Sequence, residues 1–434
     1  MKNSVVVFWF RRDLRLEDNV GLQKALTFGH KVLPVFIFDT EILSLLENTY
    51  DRRVDYIHQA LNNINHQLKK YHSSLHTFWG KPYDVFKNLL QQFDVRAVYC
   101  NHDYEPHAIA RDRRIKKMLE EQGIFFYDFK DQVIFEQSEI IKEDGNPYTV
   151  YTPYAKKWRA KLQAQNYTSV EMNLENLYQT TNSEIHSLTE IGFQKTDIVF
   201  QKPELNFTLI HQYDKYRDFP ALDHTTHLSV ALRFGTISIR ECIAFALQHN
   251  DTWLSELIWR EFFMQILYHF PHVVSASFKQ QYELIQWRNN ETEFKLWCQG
   301  KTGYPIVDAG MRQLNKTGFM HNRVRMIVAS FLCKHLLINW RWGEAYFAEK
   351  LNDFDLAANN GNWQWAAGCG CDAAPYFRIF NPTSQTQKFD RDLNYIRTWY
   401  PEFDKEIYPP IVEHSFARQR ALSVYGKAIK ENNS

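Results

Sequence analysis

Cysteine is scarce in this chain, with six in 434 residues: Cys100, Cys242, Cys298, Cys333, Cys369 and Cys371. None forms a Cys-x-x-Cys pair, and Cys369 and Cys371 are too close in sequence for an ordinary disulfide. The expectation is reduced thiols in a cytoplasmic protein. Excess charge is also lacking. Lys+Arg 51 against Asp+Glu 50 leaves a net +1, which excludes a basic arm or acidic tail as the means of finding a partner. Any nucleic-acid binding must come from a local patch. Glycine and proline, 16 and 14, are too few for a collagenous or low-complexity chain. The one N-terminal apolar run, Val5 to Phe10, is followed at once by Arg11-Arg12-Asp13 and does not read as a signal peptide. No stretch approaches the roughly 18 apolar residues of a membrane span. A Gly-x-Ser-x-Gly elbow is missing. The nearest histidine pairs, His224 with His227 and His269 with His272, lack the spacing of a helical zinc site. Hydrolase and metal chemistry are therefore not expected.

At about 100–200 residues per domain the length calls for two or three domains. Over the first 130 residues, β-rich runs at Val5–Phe10, Val32–Phe38, Leu75–Trp79, Ala97–Cys100 and Ile124–Tyr127 alternate with amphipathic stretches such as Asp55–Lys70 and Ala108–Glu121. Such alternation predicts a Rossmann-like parallel sheet covered on both faces. The first strand is followed by FRRDLRLEDN and not by a glycine-rich turn, so neither a dinucleotide fingerprint nor a P-loop is present. Residues 131–212 read as an irregular, polar interdomain connector, and helical periodicity takes over from Tyr213. In Val324–Leu336, Val324, Ile327, Val328, Phe331 and Leu332 repeat at the spacing of one buried helix face. The opposite strip carries Asn322, Arg325, Met326, Ala329 and Cys333. A solvated back face would favour Lys and Glu there; a polar head followed by small residues suits a bulky group packed against it.

What the chain has in quantity is aromatic: 32 Phe, 23 Tyr and 12 Trp, nine of the tryptophans lying after residue 250. Core filling is the usual fate of tryptophan. Many of these neighbour Arg, Asn or Asp, however, as in LIWREFF and INWRWGE, which also suits a surface that stacks bases and holds phosphates. Thr225, Thr226 and Ser229 stand just before a helical pattern, where hydroxyls serve either as plain N-caps or as a phosphate site.

Five segments together resemble one known family. FWFRRDLRLEDN (Phe8–Asn19), SELIWREFF (Ser255–Phe263), KTGYPIVDAGMRQLNKTGFMHNRVRMIVASFL (Lys301–Leu332), WRWGEAYFAEKL (Trp340–Leu351) and DFDLAANNGNWQWAAGCGCDAAPYFRIFNPTSQTQKFD (Asp353–Asp390) look like the photolyase/cryptochrome family. They are most similar to its class I cyclobutane pyrimidine dimer photolyases. The resemblance covers nearly the whole chain. It implies an α/β antenna-binding domain over 1–130, the connector over 131–212, and an all-α, FAD-binding catalytic domain over 213–434.

Residue by residue, the resemblance implies that Tyr213 and the run Thr225, Thr226, His227, Leu228 and Ser229 grip the cofactor, chiefly at its phosphates. Arg325 and Asp353 would pair beside the isoalloxazine, Asp355 would contact its polar edge, Trp253 would line the cavity and Asn359 would face the redox-active nitrogen. A neutral amide there tolerates both protonation states, whereas a carboxylate would disfavour the anionic reduced flavin. On the substrate side, Glu256 would hydrogen-bond a flipped-out dimer, Trp259 and Trp365 would stack on it, and Met326 would flank it. Asn322, Arg323, Arg217 and Gln385 would hold the damaged strand. Trp363, Trp340 and Trp287, in that order outward, would form an electron path that re-reduces the flavin. The implied activity is light-driven repair of ultraviolet-damaged DNA by a lyase with reduced, anionic FAD, working as a monomer at the nucleoid and needing no metal. The (6-4) enzymes carry two active-site histidines where Asn322 and Met326 stand here, which favours the cyclobutane dimer.

Two departures from the family pattern matter. Ala108 stands where folate-binding members carry Glu, which speaks against a methenyltetrahydrofolate antenna and leaves a deazaflavin, a second flavin or an empty pocket open. The chain ends at Ser434, about twenty residues after His414, without the C-terminal extension on which cryptochrome signalling usually relies. The alternatives to repair are a cryptochrome-like photoreceptor and a conventional flavin oxidoreductase.

Overall fold

The computed structural model describes residues 3–180, 184–405 and 408–431. The expected connector (131–212) and C-terminal domain (213–434) thus include 181–183, 406–407 and 432–434, which lie outside the described residues. The chain forms two compact units whose segments interleave. The first takes the described residues of Met1–Glu136, Lys161–Leu205 and His227–Gln248; the second takes those of Gln137–Ala160, Asn206–Thr226 and His249–Ser434.

The first unit is built on five parallel strands, β1 (Ser4–Phe10), β2 (Lys31–Asp39), β3 (His76–Gly80), β4 (Asp94–Asn101) and β5 (Phe125–Phe129), in the order β3-β2-β1-β4-β5. Its helices include α1 (Val20–Leu26), α2 (Arg52–Leu68), α3 (Pro82–Gln92) and α4 (Pro106–Glu120). Each of the five β-rich runs in the sequence becomes a strand. Along β1 the side chains alternate between two cores: Val5, Val7 and Trp9 pack on one face of the sheet, and Val6, Phe8 and Phe10 on the other. Burial of both faces explains the unbroken apolar run, as parallel sheets require. Where a glycine-rich turn would follow β1, Arg11 pairs with Asp112, and Arg11 and Arg111 lie 5.0 and 4.8 Å from the Trp9 ring centroid. Segment His227–Gln248 joins this unit through a buried network in which Arg240 donates to Asp18 and Asp131, and Arg15 also donates to Asp131 (2.7 Å). Four buried charges that compensate one another avoid the cost of any single unpaired one.

Helices dominate the second unit: α5 (Tyr151–Lys161, all but its last residue), α7 (Asp251–His269), α8 (Pro305–Thr317), α9 (Asn322–Ser330), α10 (Trp340–Lys350), α11 (Leu356–Ala367), α12 (Pro382–Phe389) and α13 (His414–Glu431). Between α5 and α7 in the chain, α6 (Ile239–His249) belongs almost wholly to the first unit. Buried Glu261 of α7 accepts from Trp158 Nε1 (2.6 Å) and Tyr154 Oη (3.3 Å) of α5, so a helix from the segment read as irregular is stapled to the helical unit. Its signal in the sequence is weak, because only Tyr154, Ala155 and Trp158 are buried. A π-helical turn, Phe331–His335, extends α9. No helix among the described residues is long and apolar enough to cross a membrane.

Candidate functional site

Three helices of the second unit frame a cavity that is partly open to solvent. From α9 come Asn322, Arg325, Met326 and Ala329; from α10 and the turn after it, Phe347, Leu351, Asp353 and Phe354; from α11 and its cap, Asp355, Ala358, Asn359, Asn362, Trp363, Trp365 and Ala366. The strip singled out on α9 therefore does face a cavity, except at Cys333. That residue falls in the π-helical turn, where the wider spacing moves it off the strip, and it is fully buried.

Close helix packing shapes this wall. A Cβ on Gly343 of α10 would overlap the Trp363 ring, and one on Gly361 would overlap Phe263 of α7. Both helices can approach only because these positions carry no side chain. Helix α11 shows no amphipathic pattern because its polar residues bond inward: Asn360 and Gln364 both donate to the Val273 carbonyl (2.9 and 3.0 Å). Asp355 caps its start by accepting from Ala358 N (3.2 Å).

Charge inside the cavity is placed with care. Arg325 donates through Nη2 to Asp353 Oδ2 (2.9 Å) and through Nε to the Met320 carbonyl (2.7 Å). Asp353 Oδ1 is buried without a partner, and an orphaned carboxylate oxygen in a cavity wall calls for a donor from a ligand. Asn359 donates through Nδ2 to both the backbone and the carboxyl of Glu344 (3.1 and 3.2 Å), which leaves its carbonyl oxygen as the free end. Burial raises the Glu344 carboxyl above the usual range, opposed by the Asn359 hydrogen bond.

The residues expected to grip phosphates are divided by the unit boundary. In the second unit, Tyr213 lies under Arg217, whose guanidinium carbon is 5.2 Å from the ring centroid, and burial pushes the Tyr213 phenol up. Thr225 Oγ1 is buried with no partner; Thr226 is half-buried. In the first unit, His227 adopts φ +51°, Leu228 precedes a short helix that no side chain caps, and Ser229 begins it.

On α7, Glu256 and Trp259 share a face one turn apart. Glu256 pairs with Arg217. Trp259 stacks on Tyr151 of α5 with centroids 3.7 Å apart and planes at 6°, and Tyr151 is itself fixed by donating to the Ser255 carbonyl (2.9 Å) and, through its backbone N–H, to Asp372 (3.1 Å). Arg323 donates to Asp218 (2.7 Å) and lies over the Phe389 ring at 4.4 Å. Tyr151, Asp218, Glu344 and Phe389 were not visible as site residues in the sequence. Only the aromatic run around Tyr151 carries any signal. Trp253 is buried on α7 and Gln385 half-buried on α12, and neither lines the cavity.

Trp363 and Trp340 are buried and Trp287 half-buried. Among the described residues the ring neighbours of Trp363 are Phe347 (5.0 Å) and Trp297 (6.2 Å), while Trp287 meets Tyr425 (5.9 Å). Trp340 has the Arg341 guanidinium 4.7 Å from its centroid and a buried indole N–H without a partner. The three tryptophans are thus held in one helical unit without touching ring to ring.

Comparisons with known proteins place the chain among its relatives. Residues 6–172 match the family described as DNA photolyase, and residues 253–422 match the FAD binding domain of DNA photolyase. The chain is 37% identical to the deoxyribodipyrimidine photo-lyase of Synechococcus sp., over 97% of this chain and 96% of that one. It is 35% identical to that of Escherichia coli, over 97% and 98%. Among solved structures it is similar to a class III photolyase from Agrobacterium tumefaciens (TM-score 0.88, 33% identity, 99% and 98% of the two chains). A second is the archaeal photolyase from Sulfolobus tokodaii, solved with two FAD molecules (TM-score 0.84, 36% identity, 98% and 100%).

Proposed function

The chain belongs to the DNA photolyase family, and on that premise we propose that it splits cyclobutane pyrimidine dimers in DNA under light, with FAD held in its helical unit. One observation carries this reading: a single cavity whose wall joins the Arg325–Asp353 pair and Asn359 to Asn322, Met326 and Trp365. The residues fit FAD. The unpaired Asp353 Oδ1 suits a ring N–H, and the unpaired Thr225 hydroxyl suits a phosphate oxygen. When bound, reduced FAD supplies the photoexcited electron that cleaves the dimer and takes it back.

The remaining work falls to side chains. Arg325 and Asp353 would orient the ring system, Asp355 would hold its polar edge, and the Asn359 carbonyl would face its redox-active nitrogen, with the Asn359 amide anchored on Glu344. Trp253, buried on α7, would support the cofactor from outside the cavity wall. In the second unit Tyr213, Thr225 and Thr226 would hold the phosphate end, and His227, Leu228 and Ser229 are proposed for the same role from their place in the run. A dimer flipped from the duplex stacks on Trp259 and Trp365, at about 1–3 kcal/mol per base. That offsets much of the few kcal/mol that flipping costs, a cost already reduced for a poorly stacked lesion. Glu256 receives hydrogen bonds from the flipped pyrimidines, Met326 flanks them, and Asn322, Arg323, Arg217 and Gln385 hold the strand. Trp287, Trp340 and Trp363 would form the path by which an electron from an external reductant reaches an oxidised cofactor.

Antenna binding is assigned to residues 1–130 and repair to 213–434, with the connector 131–212 lending α5. A second chromophore is supported by the two FAD molecules of the Sulfolobus relative; Ala108, buried on α4, offers a folate no carboxylate. The test is loss of dimers from an oligonucleotide under blue light and in darkness. Persistence of the dimer in light, with the flavin reduced, would overturn the proposal.

A further inference from the structure

Resting on the reading of Glu256 as a lesion contact, we infer that Asp218 determines specificity: it balances Arg217 and Arg323 against undamaged DNA, and receives Arg217 when Glu256 turns to a flipped dimer. Asp218 stands between the two arginines, with Oδ1 2.7 Å from Arg323 Nη2 and 3.9 Å from Arg217 Nε. Arg217 meanwhile bonds through Nη1 to Glu256. Two cations and two carboxylates sum to zero. All four side chains retain some exposure, from 17% for Arg323 to 39% for Asp218, so an approaching strand meets them together.

A phosphate arriving at this cluster finds its positive charge already neutralised. It gains little of the counterion release that drives sequence-independent binding. A flipped dimer differs because it presents imide N–H groups to Glu256. An ionised carboxylate only accepts; Arg217 occupies Glu256 Oε1, and offering both oxygens to the two imide N–H groups of a dimer requires another partner for that arginine. Asp218 is the nearest one, already facing Arg217 Nε. The guanidinium fork carries five donors, and the Tyr213 ring 5.2 Å from its carbon supports the plane while the partner changes. Arg323 is held likewise over Phe389. Undamaged DNA offers Glu256 nothing and triggers no exchange. Discrimination thus comes from a repulsive element as much as from attraction, as specificity generally requires.

Asp218→Asn removes the charge and keeps the shape. The full chain loaded with FAD is titrated in darkness, by fluorescence anisotropy, against one duplex with and without a single cyclobutane dimer. Affinity for the undamaged duplex should rise about fivefold at low salt, and its salt dependence should steepen by roughly 0.9 in log–log slope, one phosphate contact. Affinity for the dimer duplex should change by less than about twofold, the gained charge being offset by the lost exchange partner. Preference for damage therefore falls. Asp218→Glu should retain it. Unchanged preference in Asp218→Asn, or equal loss in Asp218→Glu, overturns the inference, and Asp218→Ser, read by the same ratio, replaces an Asn variant that fails to fold. A wild-type protein that shows no preference for the dimer refutes the repair reading itself.

Discussion

Removing the Tyr151 ring should weaken lesion binding without touching the lesion. Tyr151 lies flat on Trp259, 3.7 Å away and within 6° of parallel, and an aromatic pair of this kind is worth about 0.5–1.5 kcal/mol beyond its buried area. In Tyr151→Ala the half-buried indole regains rotamer freedom, and the lesion must then supply the ordering that Tyr151 now provides. Immobilising one such side chain costs about 0.5–1.5 kcal/mol, so dimer affinity should drop roughly two- to twelvefold, mostly in the dissociation rate. Tyr151→Phe keeps the ring and loses only the hydrogen bond to the Ser255 carbonyl. It should cost about 0.5–1.5 kcal/mol of stability and leave affinity close to wild type. Stopped-flow or anisotropy titration with a dimer oligonucleotide in darkness measures both variants. Unchanged affinity in Tyr151→Ala, or equal weakening in Tyr151→Phe, would refute the reasoning.

Gly343→Ala should destabilise the helical unit by about 1–3 kcal/mol, since the methyl group meets the Trp363 ring in a packed core; an unshifted denaturation midpoint would count against that packing. Trp363→Phe should abolish photoreduction of oxidised FAD while sparing repair by pre-reduced enzyme, and photoreduction at the wild-type rate would refute the electron path. Burial alone would lower the His102 pKa, but hydrogen bonds to Asp128 and Glu136 outweigh it and lift the group to about 9. A raised folded value means that the stabilisation is complete below the unfolded pKa near 6.5 and is lost as pH rises through about 9. His102→Gln should therefore flatten the stability profile across that window, as urea titrations at several pH values would reveal.

The sheet and the cavity strip were legible in the sequence because both are local patterns. Strand runs declare themselves by composition, and the residues Asn322, Arg325, Met326 and Ala329 recur at helical spacing within eight positions. What escaped depends on partners far away in the chain. Tyr151 matters only through Trp259, 108 positions later, and Glu344 only through Asn359 on another helix. Helix α11 gave no periodic signal because Asn360 and Gln364 bond inward. Cys333 left its strip through a π-helical turn, which no 3.6-residue pattern anticipates.

Interleaving of the two units bears on how the protein can be made. Gln137–Ala160 leaves the ribosome well before its partner helix Asp251–His269 exists. At about 5–20 residues per second, the roughly 100 intervening residues take on the order of 5–20 s. Through that interval Tyr154 and Trp158 have no Glu261 to receive their donors, and the nascent chain displays an apolar helix face while the sheet unit still awaits His227–Gln248. Fragments cut at residue 130 or 212 inherit the same deficit permanently. Expression of either half alone should yield a chaperone client and not a domain.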